Sequence, residues 1–254
     1  MTVSLAQTQL FFLALTRILA MIIEVPMLGG NMIPLQVRVA LGFILALVMV
    51  PWQPLPADAS PMPTLVMAMA ILQEIIIGLL MGFAATLTFG AIQVAANFMG
   101  LNTGFAAGQI LNPTFGSSGS AYDSLYLVMS TLYFLVLDGH LLWIKAVSLS
   151  FQMLPLHSTL PQFSAELFIR TFATMIYSGF HLALPVVAAV VLTDISAGLL
   201  AKVAPQVQVF FLTINIKLLL SLIGVTIAFT ITLPIMRSLF EHMGEVGLKL
   251  LGAR

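Results

Sequence analysis

Residues 64–98 read TLVMAMAILQEIIIGLLMGFAATLTFGAIQVAANF, an apolar run whose one charge is Glu74. Built as a single helix it would be roughly 50 Å long at 1.5 Å per residue. The hydrocarbon of a bilayer is only about 30 Å thick, so such a helix has to tilt steeply, kink or project from the membrane. It sits in a chain of 254 residues of which 60% are hydrophobic and 7% charged, whereas a soluble domain holds about 25% charged residues. Nine basic and nine acidic side chains cannot clothe a soluble globule of this length. The outer surface must therefore meet lipid or other apolar protein. The net charge of zero argues against nucleic acid as a partner, since a phosphate-binding face needs clustered Lys and Arg. With no cysteine there is no disulfide frame and no thiol chemistry.

Working outward from this run, the Pro-rich connection from Pro51 through Pro61 and Pro63 precedes it and cannot continue a helix. Before that lie two apolar blocks, from about Leu10 to Leu28 and from Val37 to Val50. No Lys or Arg precedes the first block and Arg17 sits inside it, unlike a cleavable signal peptide, so this block is expected to stay in the mature protein. After the long run comes the one extended polar, Gly-rich stretch, GLNTGFAAGQILNPTFGSSGSAY from Gly100 to Tyr122, with five glycines, one proline and no charge. Three more apolar blocks follow: Asp123 to about Ile144 with an amphipathic piece to Leu154, Leu167 to Leu192, and Val209 to Leu239. The expected fold is all-α: a polytopic membrane protein of about six hydrophobic segments in kinked helical hairpins, forming one domain over residues 1–254. Orientation is weakly specified. With the N-terminus inside, Lys145, Arg170, Arg237, Lys249 and Arg254 fall on the inner side, against Arg38, Lys202 and Lys217 outside.

Charges inside apolar blocks are costly and tend to be paired or to line a polar path. Arg17 and Glu24 are seven apart, about two turns, and share a helix face. Glu74, Asp138, His140, His181 and Lys217 are scattered singly. One reading is an ion or proton relay; the other, favoured by the scatter, is buried ion pairs and contacts between packed helices or subunits. Pro26, Pro185 and Pro234 could mark the broken helices of a secondary transporter or plain kinks. Gly78 and Gly82 are spaced to let two helix backbones approach, whereas the Gly100/Gly104 and Gly104/Gly108 pairs lie in the flexible stretch. Gly116-Ser117-Ser118-Gly119 matches the GxSG pattern of rhomboid-like proteases, with His140 or His181 as a partner, yet Ser–Gly clusters are common turn composition. No metal-spaced cluster or phosphate-cradling loop appears in the sequence. Neither an enzyme nor a cofactor is expected. The fifteen methionines are soft fillers of an apolar core.

Taken in order, the landmarks are Arg17, Pro26, Gly29-Gly30, Pro34, Val37-Arg38 and Pro51; Glu74, Gly78, Gly82 and Phe83; Met99-Gly100-Leu101 and Asn112-Pro113; Gly139-His140-Leu141, Phe151 and Leu154-Pro155; and Pro205-Gln206-Val207-Gln208-Val209-Phe210 with Lys217. In that order and spacing the chain resembles the FliR family, the flagellar export-gate subunit whose virulence-system counterparts are called SctT. Asn112, Gln208 and Asn215 depart from the family's aspartate, asparagine and proline. The resemblance implies a structural subunit of the bacterial inner membrane at the flagellar basal body. It would join FliP- and FliQ-type subunits, with an FlhB-type partner, in a helical pore that passes unfolded export substrates. It implies that the apolar helices pack largely on other subunits as well as lipid, with Arg17, Glu24, Glu74 and Lys217 as buried charges or subunit contacts. It also makes the Gly-rich stretch the plug of the closed pore. Its members would be Gly104, Gly108, Gly116, Asn112 and Pro113, the glycines giving flexibility, with Phe105, Ile110, Leu111 and Phe115 able to seal a constriction. The pattern of landmarks favours the flagellar over the virulence branch.

Overall fold

Backbone N–H and C=O groups find no water in hydrocarbon, so an apolar run satisfies them internally as a helix. A computed structural model describes residues 5–29, 33–49, 61–104, 121–156, 164–204 and 209–252, and among these no strand occurs. The described helices are α1 (Leu5–Glu24), α2 (Pro26–Gly29), α3 (Leu35–Met49), α4 (Thr64–Thr103), α5 (Ala121–Val136), α6 (Gly139–Met153), α7 (Ala165–Val203) and α8 (Val209–Leu250). By length and composition α1, α4 and α7 are each sufficient to cross a membrane, and up to five spans result if each bent helix pair counts as one. The described residues are all-α, as the long apolar runs led one to expect.

Several boundaries differ from the sequence reading, each for a local reason. The first block is divided because Val25 precedes Pro26, whose ring disfavours helix at the residue before it. The long central run continues past Phe98 to Thr103: Asn102 and Thr103 return hydrogen bonds to the carbonyls of Phe98 and Met99, four residues back. The fourth block does not run through to Ile144. It breaks at Leu137–Asp138, where Asp138 adopts the left-handed conformation (φ 54°) that Asp tolerates better than most residues. The Asp138 carbonyl then accepts from the N–H groups of Leu141 and Leu142, starting α6. Pro185 lies within α7 without ending it. In α8 the segments Asn215–Ile227 and Phe229–Leu250 are bent by 52°, close to Thr230, whose carbonyl the Pro234 ring crowds.

The described chain falls into two compact units, neither of them contiguous in sequence. The first takes Met1–Thr88, Asp138–Thr171 and Phe240–Arg254; the second takes Phe89–Leu137 and Phe172–Leu239. In the first unit α1 pairs with α3, where a Cβ on Gly42 would strike the Leu19 side chain. The end of α8 lies close on α6 and α4, with Gly244 against Ala146 and Gly247 against Met81. Phe83 and Phe168 face each other at 6.1 Å. In the second unit α7 crosses the end of α4 at Gly179, where a Cβ would lie 2.7 Å from the Ala91 carbonyl oxygen. An edge-to-face contact of Phe98 with Phe180, 4.9 Å between centroids, extends that crossing. Tyr126 of α5 is buried with its hydroxyl on the Met99 sulfur and its ring 6.3 Å from Phe229.

Candidate functional site: a buried ion pair joining three helices

The first unit holds an ion pair with almost no access to solvent. Arg17, midway along α1, is 0% exposed and Glu74 of α4 is 3% exposed. The guanidinium binds the carboxylate bidentately: Nε donates to one oxygen at 2.5 Å and an Nη to the other at 3.1 Å. The second Nη donates to the Ser150 carbonyl at 3.1 Å. Ser150 lies in the last turn of α6, where carbonyl groups carry the negative end of the helix dipole, so a cation is well placed there. Phe151 offers its ring face to the guanidinium, 4.4 Å from the centroid, the cation–π arrangement. Arginine suits every part of this niche, because its planar fork matches a carboxylate and stacks on an aromatic ring.

One turn beyond Glu74, α4 presents Gly78, and one turn further Gly82. A Cβ on Gly78 would lie 2.5 Å from the Arg17 carbonyl oxygen and 2.6 Å from Ala20 Cβ. On Gly82 it would lie 2.9 Å from the Met21 carbonyl oxygen and 2.5 Å from Glu24 Cβ. The helix that these glycines admit is therefore α1 of the same chain. Glu24 is half-buried on this seam, and its backbone carbonyl accepts a hydrogen bond from Thr86 Oγ1 at 2.6 Å. Its shared face with Arg17 does not make a pair: the partner of Arg17 is Glu74. At the start of the seam the Gln9 amide donates to the Met62 carbonyl at 3.1 Å and accepts from the Met62 N–H at 2.8 Å.

In the second unit Lys217 of α8 binds Asp194 of α7 at 2.5 Å, with side-chain exposures of 20% and 48%. Lys217 and Glu24 are thus only partly buried, unlike Arg17 and Glu74. The sequence reading missed Asp194, although two single, opposite charges in neighbouring apolar blocks were the signal. It also gave no role to Ser150, which acts through its backbone and leaves no mark in residue type. His181 is exposed and stacks on Tyr177. His140 is half-buried, with a buried Nδ1 that has no hydrogen-bond partner. Gly104 follows α4 with φ +86°, and no described residue comes within 4 Å of a Cβ added there. Phe105, Gly108, Ile110, Leu111, Asn112, Pro113, Phe115 and Gly116, with Ser117 and Ser118, lie outside the described residues. Among the described residues no group of three His, Cys, Asp or Glu side chains converges as a metal site. The arrangement on view holds helices together.

The model for bacterial export proteins, family 1, matches residues 8–243. The chain belongs to this family. That stretch contains all the landmarks from Arg17 to Lys217 that carried the resemblance to the FliR family. The chain is 28% identical over 237 residues to the flagellar biosynthetic protein FliR of Pectobacterium carotovorum subsp. carotovorum, covering 93% of this chain and 90% of the relative. It is 26% identical over 235 residues to the flagellar biosynthetic protein FliR of Bacillus subtilis, covering 91% and 90%. A shorter match, 29% identical over 152 residues and covering 59% of this chain and 58% of the relative, is to the surface presentation of antigens protein SpaR of Shigella flexneri. The chain is thus an export-apparatus protein of the flagellar and type III kind, rich in apolar helices suited to a membrane.

Proposed function

We propose that this chain is the FliR-type structural subunit of the flagellar export gate, forming with FliP- and FliQ-type subunits an inner-membrane pore for unfolded flagellar proteins, with an FlhB-type subunit alongside. The observation that carries the reading is the match to FliR proteins over about nine-tenths of both partners, where the SpaR match spans under two-thirds of either. The distribution of burial supports a subunit rather than a self-sufficient transporter. The most apolar stretch of α4 is 61% buried within the chain, whereas that of α7 is 22% buried. The α7 and α8 faces expose Ile169, Phe172, Leu192, Leu199, Leu219 and Ile223, among others. Neighbouring subunits and lipid cover that surface in the assembled gate. Pro185, which does not interrupt α7, gives no support to a broken-helix transporter. The role is structural and needs no cofactor. The Gly-rich segment leaving α4 at Gly104 serves as the plug.

Extraction in mild detergent, with and without co-expressed FliP- and FliQ-type partners, tests the reading. A complex containing all three is expected, with the solitary chain aggregated or degraded. A solitary chain that behaves as a stable monomer and binds neither partner overturns it.

A further inference from the structure

The contact between α1 and α4 repeats itself with a period of one helical turn. Gly78 is met by the Arg17 carbonyl and Ala20; Gly82 is met by the Met21 carbonyl and Glu24. Each member of the second set is four residues beyond its counterpart in the first, on both helices. The pairs run in the same direction along both sequences, so the helices are parallel on this seam. A slide of α1 by four residues, about 6 Å at 1.5 Å per residue, therefore brings equivalent backbone over equivalent glycines. Ala20 would then sit over Gly82 and Thr16 over Gly78, small side chains in both cases. The Thr86 hydroxyl does not resist the slide, since it can donate to whichever carbonyl is delivered at that level and already approaches the Gly82 carbonyl at 3.4 Å. The Gly78/Gly82 track by itself therefore does not distinguish the two registers.

Two polar contacts do not repeat: the part-buried Gln9–Met62 pair at the start of the seam, whose two neutral hydrogen bonds water can replace, and the fully buried pair of Arg17 and Glu74. Glu74 precedes the glycines on the same row of α4, and Arg17 meets it with two hydrogen bonds while a third reaches the Ser150 carbonyl. In the slid arrangement Leu13 faces Glu74 and Arg17 faces Gly78, leaving two opposite charges buried and apart. A buried pair is weak evidence for stability, because desolvation offsets the attraction, but separating its members is costly. A single polar residue on an apolar seam fixes register in coiled coils by the same logic. We propose that Arg17–Glu74 is the register key of the α1–α4 seam: it selects one of two closely matched one-turn settings and contributes little to the stability of the correct one.

The test uses the full chain co-expressed with its partner subunits. The native protein has no cysteine, so engineered pairs report cleanly. Glu24→Cys with Thr86→Cys reports the observed register; Ala20→Cys with Thr86→Cys reports the slid one. With Arg17 and Glu74 intact, only the first pair cross-links. In the R17M/E74M background the protein is expected to accumulate to the parent level and both pairs to cross-link. Accumulation of R17M/E74M with only the first pair cross-linking overturns the proposal, because packing alone then sets the register. Failure of R17M/E74M to accumulate overturns it too, since the pair would then be needed for stability. L13R/R17M moves the cation back one turn and is expected to shift cross-linking to the second pair; accumulation with only the first pair linked counts against the key.

Discussion

Replacing Gly78 with alanine adds one methyl group where the structure has no room for it. The new Cβ would lie 2.5 Å from the Arg17 carbonyl oxygen, and ordinary contact starts at 3.4 Å, so α1 must retreat by 3.4 − 2.5 = 0.9 Å at that level. Arg17 cannot follow freely. Its bond to one Glu74 oxygen is already 3.1 Å long, so the retreat strains the bidentate pair as well as the packing. Overpacking of this kind costs about 1–3 kcal/mol. Alanine also gains about 1 kcal/mol of helix propensity over glycine, which partly masks the clash. Gly198 supplies the control, being an exposed glycine within α7 with nothing within 4 Å of an added Cβ. Both substitutions share the propensity gain, so the difference between Gly78→Ala and Gly198→Ala isolates the clash. Denaturant titration of the protein co-purified with its partner subunits in mild detergent, followed by helicity, should place Gly78→Ala about 1–3 kcal/mol below Gly198→Ala, roughly 5- to 150-fold in the folding equilibrium. Equal midpoints for the two variants would refute the reasoning.

Arg17→Met alone strands the Glu74 carboxylate in the core and is expected to cost about 3–5 kcal/mol in the same titration; a loss under 1 kcal/mol contradicts the geometry. The charge swap R17E/E74R is expected not to restore stability, because it turns a carboxylate towards the Ser150 carbonyl and the Phe151 ring face; recovery to the parent midpoint would mean that those two groups do not matter. Lys217→Met is expected to cost less than Arg17→Met, since Asp194 keeps 48% of its side chain exposed within the chain whereas Glu74 would be stranded in the core; a cost matching that of Arg17→Met argues otherwise. Deleting Ile110 to Gly116 should leave the subunit assembled while raising dye or ion leakage through cells that express the complete gate. Parent-level leakage with normal assembly removes that segment as the closing element.

Much of the fold was legible because hydropathy and helix are nearly the same signal in such a chain. The α4 run could be read directly, and Pro26 stood out as a residue able to break or kink a helix. Hydropathy misled where a helix left the wholly apolar regime. The last block was read as ending at Leu239, yet α8 continues to Leu250 through Glu241, Glu245 and Lys249. It does so because Phe240, Met243, Gly247 and Leu250 recur at helical spacing and bury one face, while the charges take the other. The break at Asp138 left no proline as a marker, and Asp is only weakly diagnostic of the left-handed conformation it adopts. At the site, Arg17, Glu74, Gly78 and Gly82 were all singled out, but their relation was not. Periodicity along α1 gave only that Arg17 and Glu24 share a face, whereas the partner of Arg17 is 57 residues away on another helix. A contact of that range is a property of the packed chain and not of either segment.

The separation of the two charges in sequence also matters for the order in which the protein is made. Arg17 leaves the ribosome 57 residues before Glu74 and 133 residues before Ser150. At about 5–20 residues per second, the first helix waits roughly 3–11 s for its carboxylate and longer for its carbonyl. During that interval it carries an arginine near its middle, and such a residue opposes insertion by about 2.5–3.5 kcal/mol. The segment that carries Arg17 is therefore expected to reach its final setting only after α4 has been made. Until then α1 is expected to wait as a client of the insertion machinery, or at the headgroup level, rather than as a finished span.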